Sequence, residues 1–167
     1  RAVIFDAIKN ENFDPKKSVV LSPDMGSVKM SQGYAKNLGM NFAIIDKRRY
    51  APNKAEVSHL IGKLKDRDVL IIDDMIDTAG TTVNAAKAAF DKGAKSVTAV
   101  ATHGVLSGAA LEKLENSKIR KILITDTIEI SNQKYINKIE IISVSKVFAE
   151  AVKRVHNGES VSALFDF

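Results

Sequence analysis

The chain has 167 residues, 45% apolar and 27% charged, which suits one globular domain with a core and is too short for two ordinary ones. It has no Cys, which excludes a disulfide framework, a thiolate metal site and a Cys nucleophile, and makes a cytoplasmic location the default expectation. No apolar run approaches the roughly 20 residues that cross a bilayer, so no membrane partner is expected; the net charge of +5 favours anionic ligands, without the basic stripe of a nucleic-acid binder.

Taken in order, residues 1–10 place Val3, Ile4, Ala7 and Ile8 at helical spacing, and Phe13-Asp14-Pro15 breaks the pattern. The chain opens at Arg1, without Met, inside this amphipathic segment, which leads us to expect further sequence upstream. Ser18 to Leu21 is a short apolar strand. It runs into Ser22-Pro23-Asp24-Met25-Gly26-Ser27 and a helix from about Val28 to Leu38, stopped by Gly39. Met40 to Ile45 is the next strand, followed by Asp46-Lys47-Arg48-Arg49-Tyr50-Ala51-Pro52-Asn53, a basic loop closed by Pro and expected to be exposed and mobile. Residues 56–61 read as an edge strand or hairpin arm, and residues 63–68 as the turn back.

The most informative stretch is Val69 to Thr82, VLIIDDMIDTAGTT. Four apolar residues closed by charge describe a buried parallel strand, since helices cover both faces of such a sheet. A helix over Val83–Lys92 should follow, with Val83, Ala86 and Phe90 as its buried stripe. Between them, residues 77–82 supply small side chains, hydroxyls and backbone amides at a helix start, where unpaired N–H groups and a partial positive charge suit a phosphate. Asp73 and Asp74 beside them suit a diol or a metal. The plain alternative is that Asp77 or Thr78 caps the helix and the two acids are solvated.

Ser96 to His103 is another strand, leading through Gly104-Val105-Leu106-Ser107-Gly108 to a helix ending near Glu115. Residues 119–125 and 138–144 are further strands. Val147, Phe148, Ala151, Val152 and Val155 share one face of a helix over residues 146–156, and a tail ends in Leu164-Phe165-Asp166-Phe167. Alternating strands and helices predict an α/β fold with a central parallel sheet flanked by helices. Ligands of such sheets bind beyond the carboxyl ends of the strands, where the loops at residues 23–27, 46–50, 73–82 and 103–108 all converge.

On that rim, Lys47, Arg48 and Arg49 are either a solvated hairpin tip or a basic loop that closes over phosphates. Asp24 is either a Mg²⁺ ligand or a helix cap. His103 is read as a packed histidine with one hydrogen bond, and not as a base. His59 and His156 have no partner in the sequence, and no Ser/His/Asp arrangement is legible.

Asp73-Asp74-Met75-Ile76-Asp77-Thr78-Ala79-Gly80-Thr81 resembles the phosphoribosyl-pyrophosphate signature shared by type I phosphoribosyltransferases and ribose-phosphate pyrophosphokinase. Four further segments resemble the pyrophosphokinase in order and spacing: Ser22 to Gly26, Asp46 to Arg49, Thr102 to Gly108, and His156 to Phe165. The resemblance covers nearly the whole chain and corresponds to the C-terminal half of that enzyme, so the chain is expected to be a single phosphoribosyltransferase-like domain lacking an N-terminal partner domain. It implies transfer of the β,γ-pyrophosphoryl group of ATP to the anomeric hydroxyl of ribose 5-phosphate, with Mg²⁺, phosphate as an activator, and a homo-oligomer that is a hexamer in the family. Asp77, Thr78, Ala79, Gly80, Thr81 and Thr82 would hold the 5-phosphate. Asp73 and Asp74 would hold the ribose hydroxyls and their metal, Asp24 would belong to the Mg²⁺ and pyrophosphate region, and Lys47 and Arg49 would be the catalytic pair. Ser160, Ser162 and Phe165 resemble a regulatory segment for phosphate or ADP at a subunit contact.

The chain departs from the family at Ser27, where a second Gly is usual, and at Met30, where a basic residue is frequent. Without the N-terminal domain the 167 residues are expected to bind ribose 5-phosphate weakly and to turn over little. Rival readings are a complete small phosphoribosyltransferase, for which no base-recognising segment is seen, and a non-catalytic regulatory member of the same fold.

Overall fold

A computed structural model describes residues 2–48, 57–129 and 136–164. The elements run α1 (Ala2–Asn10), β1 (Ser18–Ser22), α2 (Val28–Leu38), β2 (Asn41–Arg48), β3 (Val57–Ile61), β4 (Asp68–Ile76), α3 (Gly80–Asp91), β5 (Ser96–Gly104), α4 (Ala110–Asn116), β6 (Lys121–Thr125), β7 (Ile139–Ile142) and α5 (Ser145–His156), then a 3₁₀ turn over Ser162–Leu164. The seven strands form one sheet in the order β3-β2-β1-β4-β5-β6-β7. All pairs are parallel except β2 with β3, so the expected hairpin arm is an antiparallel edge strand.

The strand alternation dictates two cores, one on each face. Val69 and Ile71 of β4 face Ala85, Ala86 and Ala89 of α3 and Ala110 and Leu114 of α4. Leu70 and Ile72 face Ile4 and Ile8 of α1 and Tyr34 and Ala35 of α2. Each buried Leu or Ile contributes roughly 1.5–3 kcal/mol, so β4, lined on both faces, is a firm support for whatever its end carries. Largely buried Glu11, just past α1, accepts hydrogen bonds from Arg120 and Lys121, tying that helix end to β6. Lys138 Nζ donates to the carbonyls of Leu114, Glu115 and Ser117 at 3.3, 2.6 and 2.7 Å, which caps the C-terminus of α4.

Three boundaries differ from expectation. β4 continues through both acids to Ile76, because Asp73, Met75 and Ile76 stay in register with Ala101, His103 and Gly104 of β5. α3 starts at Gly80 and not at Val83, so Thr81 and Thr82 stand in its first turn; its fully buried side is Thr82, Ala85, Ala86 and Ala89, with Val83 and Phe90 partly buried beside it. β2 runs on to Arg48, so Asp46, Lys47 and Arg48 are strand positions opposite His59, Ser58 and Val57 and not a loop tip. The rest of the expected basic loop, including Arg49, lies outside the described residues.

α5 is a helix as expected, yet its apolar face is not buried: Phe148, Val152 and Val155 are 64%, 68% and 70% exposed. Among the described residues no helix is long and apolar enough to cross a membrane.

Gly62, which turns the chain back from β3, is held at φ +131° with its Cα against Ala43. A Cβ there would sit 2.5 Å from Ala43 Cβ and 3.0 Å from Ala43 Cα. Gly62→Ala combines backbone strain with overpacking and should destabilise the domain by about 2–4 kcal/mol in urea unfolding.

Candidate functional site

At the carboxyl end of the sheet a cavity of about 620 Å³ is lined by Asp24, Gly26, Ser27, Met30 and an unbroken run from Asp73 to Thr82. Two of the four expected loops meet there. The third, after β5, packs behind the cavity and does not line it; the fourth brings Lys47 only as a position on β2, with Arg49 outside the described residues.

The wall from Asp77 to Thr82 owes its shape to hydrogen bonds from the segment after β5. Leu106 N donates to Ile76 O at 3.0 Å and Ser107 N to Asp77 O at 3.0 Å. Lys113 Nζ, from α4, donates to Thr78 O at 3.1 Å. Three successive peptide carbonyls are therefore drawn to one neighbouring segment. Peptides are planar, none is cis among the described residues, and the N–H of each points opposite its carbonyl, so the amides of Asp77, Thr78 and Ala79 face away from that segment. Ala79 completes the turn in the left-handed region, at φ +61°, and its carbonyl accepts the first helical bond, from Val83 N at 3.0 Å. Successive amides facing one way at a helix start form a nest for an anion. Among the described residues the amides of Thr78, Ala79, Gly80, Thr81 and Thr82 donate to no main-chain carbonyl. Among the described residues no side chain caps α3, so the plain reading of Asp77 or Thr78 as a helix cap does not hold. Asp77 Oδ1 instead accepts from Ser107 Oγ.

Beside this amide cup stand the acids. Asp73 Oδ1 accepts from Ser27 Oγ at 2.6 Å and from the Asp74 amide at 3.0 Å, and Asp74 Oδ1 accepts from the Met75 amide at 2.8 Å. Asp24 Oδ1 accepts from Ser27 N at 3.1 Å, which shapes the turn before α2, while the residue also lines the cavity. Burial pushes the Asp73 carboxyl above its ordinary 3.8. Hydrogen bonds from Ser27 and the Asp74 amide pull it down, and the charges of Asp24 and Asp74 push it up again. Among the described residues no three His, Asp or Glu side chains come close enough to form a metal cage. Mg²⁺ is ordinarily held by one or two carboxylates, waters and substrate oxygens, which carboxylates lining the cavity such as Asp73 and Asp74 can supply without a three-carboxylate cage.

Of the other expected site residues, His103 Nδ1 lies 2.8 Å from Thr127 Oγ1 and lines no part of the cavity, in keeping with its bland reading. Ser160 and Ser162 lie in the C-terminal turn, where Arg154 Nη1 donates to Ser160 O at 3.1 Å and Ser162 N to Ser160 Oγ at 3.2 Å. Phe165 lies outside the described residues.

Comparison with known proteins follows the same layout. Residues 47–166 match the family model described as the phosphoribosyl synthetase-associated domain. The chain belongs to this phosphoribosyl synthetase family. It is 46% identical over 164 residues to the ribose-phosphate pyrophosphokinase of Chlorobaculum tepidum, covering 98% of this chain and 50% of that one. It is 52% identical over 147 residues to the ribose-phosphate pyrophosphokinase of Caldanaerobacter subterraneus, covering 88% and 46%. The phosphoribosylpyrophosphate synthetase of Mycobacterium smegmatis superposes with a TM-score of 0.86 at 30% identity, over 93% of this chain and 50% of that chain. The APRTase of Giardia lamblia, at 20% identity and a TM-score of 0.57 over 74% and 76% of the two chains, shares the fold alone. The type I phosphoribosyltransferase-like fold is thus the one the sequence predicts. The chain spans about half the length of the curated relatives it matches.

In this phosphoribosyl synthetase domain, the sequence reading missed three residues that shape the cavity. Ser27 appeared there only as a departure from the family, yet its hydroxyl holds Asp73; Ser107 and Lys113 hold the phosphate-loop candidate from behind. A small hydroxyl residue after Asp-Met-Gly was the one local signal. The Asp73 shift has a sign that can be checked. A carboxyl whose folded-state pKa is raised binds protons better folded than unfolded, so it weakens the fold at neutral pH, and that penalty disappears as pH falls through the raised value to below 3.8. Ser27→Ala removes a bond that lowers the pKa, so the NMR titration of Asp73 should move higher still. Its thermal midpoint should fall relative to wild type at pH 7 and converge with it at acid pH.

Proposed function

We propose that this domain is the sugar-phosphate half of a ribose-phosphate diphosphokinase, which makes phosphoribosyl pyrophosphate and AMP from ATP and ribose 5-phosphate. The observation that carries the reading is the continuity of the cavity wall: carboxylates from Asp73 and Asp74 run directly into residues 77–82, where the amides of Asp77, Thr78 and Ala79 share one side. Few ligands ask for a diol site beside a dianion site. The names of the relatives supply the reaction class, and the rest is chemistry that the residues can perform.

In this reading Thr78, Ala79, Gly80, Thr81 and Thr82 take the 5-phosphate on amides and hydroxyls. Asp73 and Asp74 orient the ribose hydroxyls, so that the anomeric oxygen sits toward the β1–α2 turn. That oxygen attacks the β-phosphorus of ATP in line and releases its proton to solvent, the bond from the β-phosphorus to its α-bridging oxygen breaks, and AMP leaves with the electron pair. Mg²⁺ bound with Asp24, Asp73 and Asp74 would neutralise the phosphoryl oxygens. Lys47 and Arg49 would meet the charge that builds on the transferring group, and no covalent nucleophile is needed, since positioning and charge stabilisation suffice. As the chain spans about half of its curated relatives, the 167 residues by themselves are expected to bind ribose 5-phosphate weakly and to turn over little.

The proposal includes a cytoplasmic homo-oligomer. The exposed apolar face of α5 supports self-association. The C-terminal Ser160, Ser162 and Phe165 are assigned to regulation by phosphate or ADP at a subunit contact, and Arg154 donates to the Ser160 carbonyl. No nucleic acid or membrane partner is part of the proposal.

The full-length protein given ATP, ribose 5-phosphate and Mg²⁺ should release AMP. Release of pyrophosphate from phosphoribosyl pyrophosphate and a purine or pyrimidine base, with no AMP formed, would instead assign a base transferase. Lys47→Ala should lower kcat by about 10²–10³ and leave ribose 5-phosphate affinity nearly unchanged. Equal losses in both would make this strand end a binding element.

A further inference from the structure

We propose that Ser107 and Lys113 are positioning residues for the phosphate-binding loop, holding the peptides of Asp77, Thr78 and Ala79 so that the amides from Thr78 onward meet a sugar 5-phosphate. This rests on the reading of the cavity given above. The anion cup needs successive amides on one side, whereas extended chain alternates them. Neither β4 nor α3 imposes that arrangement. β4 ends at Ile76, and the helical bonds of α3 begin with the Ala79 carbonyl, which leaves the peptides between them to be oriented from outside.

The orientation comes from the segment after β5. Backbone amides of Leu106 and Ser107 take the first two carbonyls, and Lys113 Nζ takes the third. The Thr78 carbonyl belongs to the same peptide as the Ala79 amide. Lys113 therefore decides which way the amide of a residue at φ +61° points. For a residue with a Cβ, that conformation costs about 1–2 kcal/mol and needs a support. Ser107 Oγ adds a second hold by donating to Asp77 Oδ1, which turns the Asp77 carboxylate back toward α4. Asp77 is thereby assigned to the frame of the loop, its Oδ1 engaged by Ser107. Lys113 is exposed and at the surface, and Ser107 is partly buried, so neither side chain is needed for the core.

The test measures ribose 5-phosphate binding by calorimetry, together with KM for ribose 5-phosphate, KM for ATP and kcat in the full-length protein. Ser107→Ala and Lys113→Met should each weaken ribose 5-phosphate binding roughly tenfold, the loss of one hydrogen bond to a preorganised loop. KM for ATP should stay within about twofold and kcat within about threefold. Ser107→Thr and Lys113→Arg, which keep a donor at each place, should restore most of the affinity. Unchanged affinity in both Ser107→Ala and Lys113→Met, with normal binding by wild type, would overturn the inference and leave the functional reading intact. So would losses of ribose 5-phosphate and ATP binding in equal measure with a lowered thermal midpoint, which would mark a structural role. A wild-type protein that binds no ribose 5-phosphate would overturn the functional reading and this inference with it.

Discussion

The site depends on the direction of a few peptide groups. A dianion is recognised by N–H groups that converge, and main chain does not present consecutive amides on one side unless something holds the carbonyls on the other. Here the holding is done by the neighbour of β4 in the sheet. Parallel strands side by side end on the same rim, so the segment that leaves β5 passes directly behind the segment that leaves β4, and its amides reach Ile76 O and Asp77 O. The sheet order thus fixes the loop as much as the loop's own glycine and threonines do.

Against that positive cup the fold places carboxylates at a cost. Asp73 sits on a strand buried along both faces up to Ile72, and its desolvation together with two neighbouring acids works against its ionised form. The protein offsets part of this with the Ser27 hydroxyl and a backbone amide. Stability given up to keep a charged, oriented carboxylate in a cavity is the usual trade at a functional site, and it suits a site completed by a cation and a polyhydroxyl ligand. At the surface, α5 exposes Phe148, Val152 and Val155 on its apolar face.

Most of the architecture could be read from local pattern. Val69 to Ile72 announced a doubly covered strand, Gly39 a helix end, and the alternation of elements a parallel sheet with its ligands on one rim. What escaped was long-range. The continuation of β4 past Asp73 depends on its ladder with β5, and polar residues in a row give no sign of it. The early start of α3 turns on a left-handed alanine, which looks like any other alanine in sequence. Ser27 and Asp73 are 46 residues apart, and Ser107 and Asp77 are 30 apart, so no spacing rule links them. Asp46, Lys47 and Arg48, expected to open a loop, extend β2 because β3 pairs with them, a tertiary contact that outweighs the local preference for a turn.

The most direct measurement is the backbone amide spectrum of the protein titrated with ribose 5-phosphate and, separately, with ribose. If the one-sided peptides hold the phosphate, the largest shifts with ribose 5-phosphate fall on Thr78, Ala79, Gly80, Thr81 and Thr82, and ribose leaves them nearly unmoved. Shifts of equal size with both sugars, or shifts centred on other segments while these five amides stay in place, would contradict the assignment of this loop as the phosphate site.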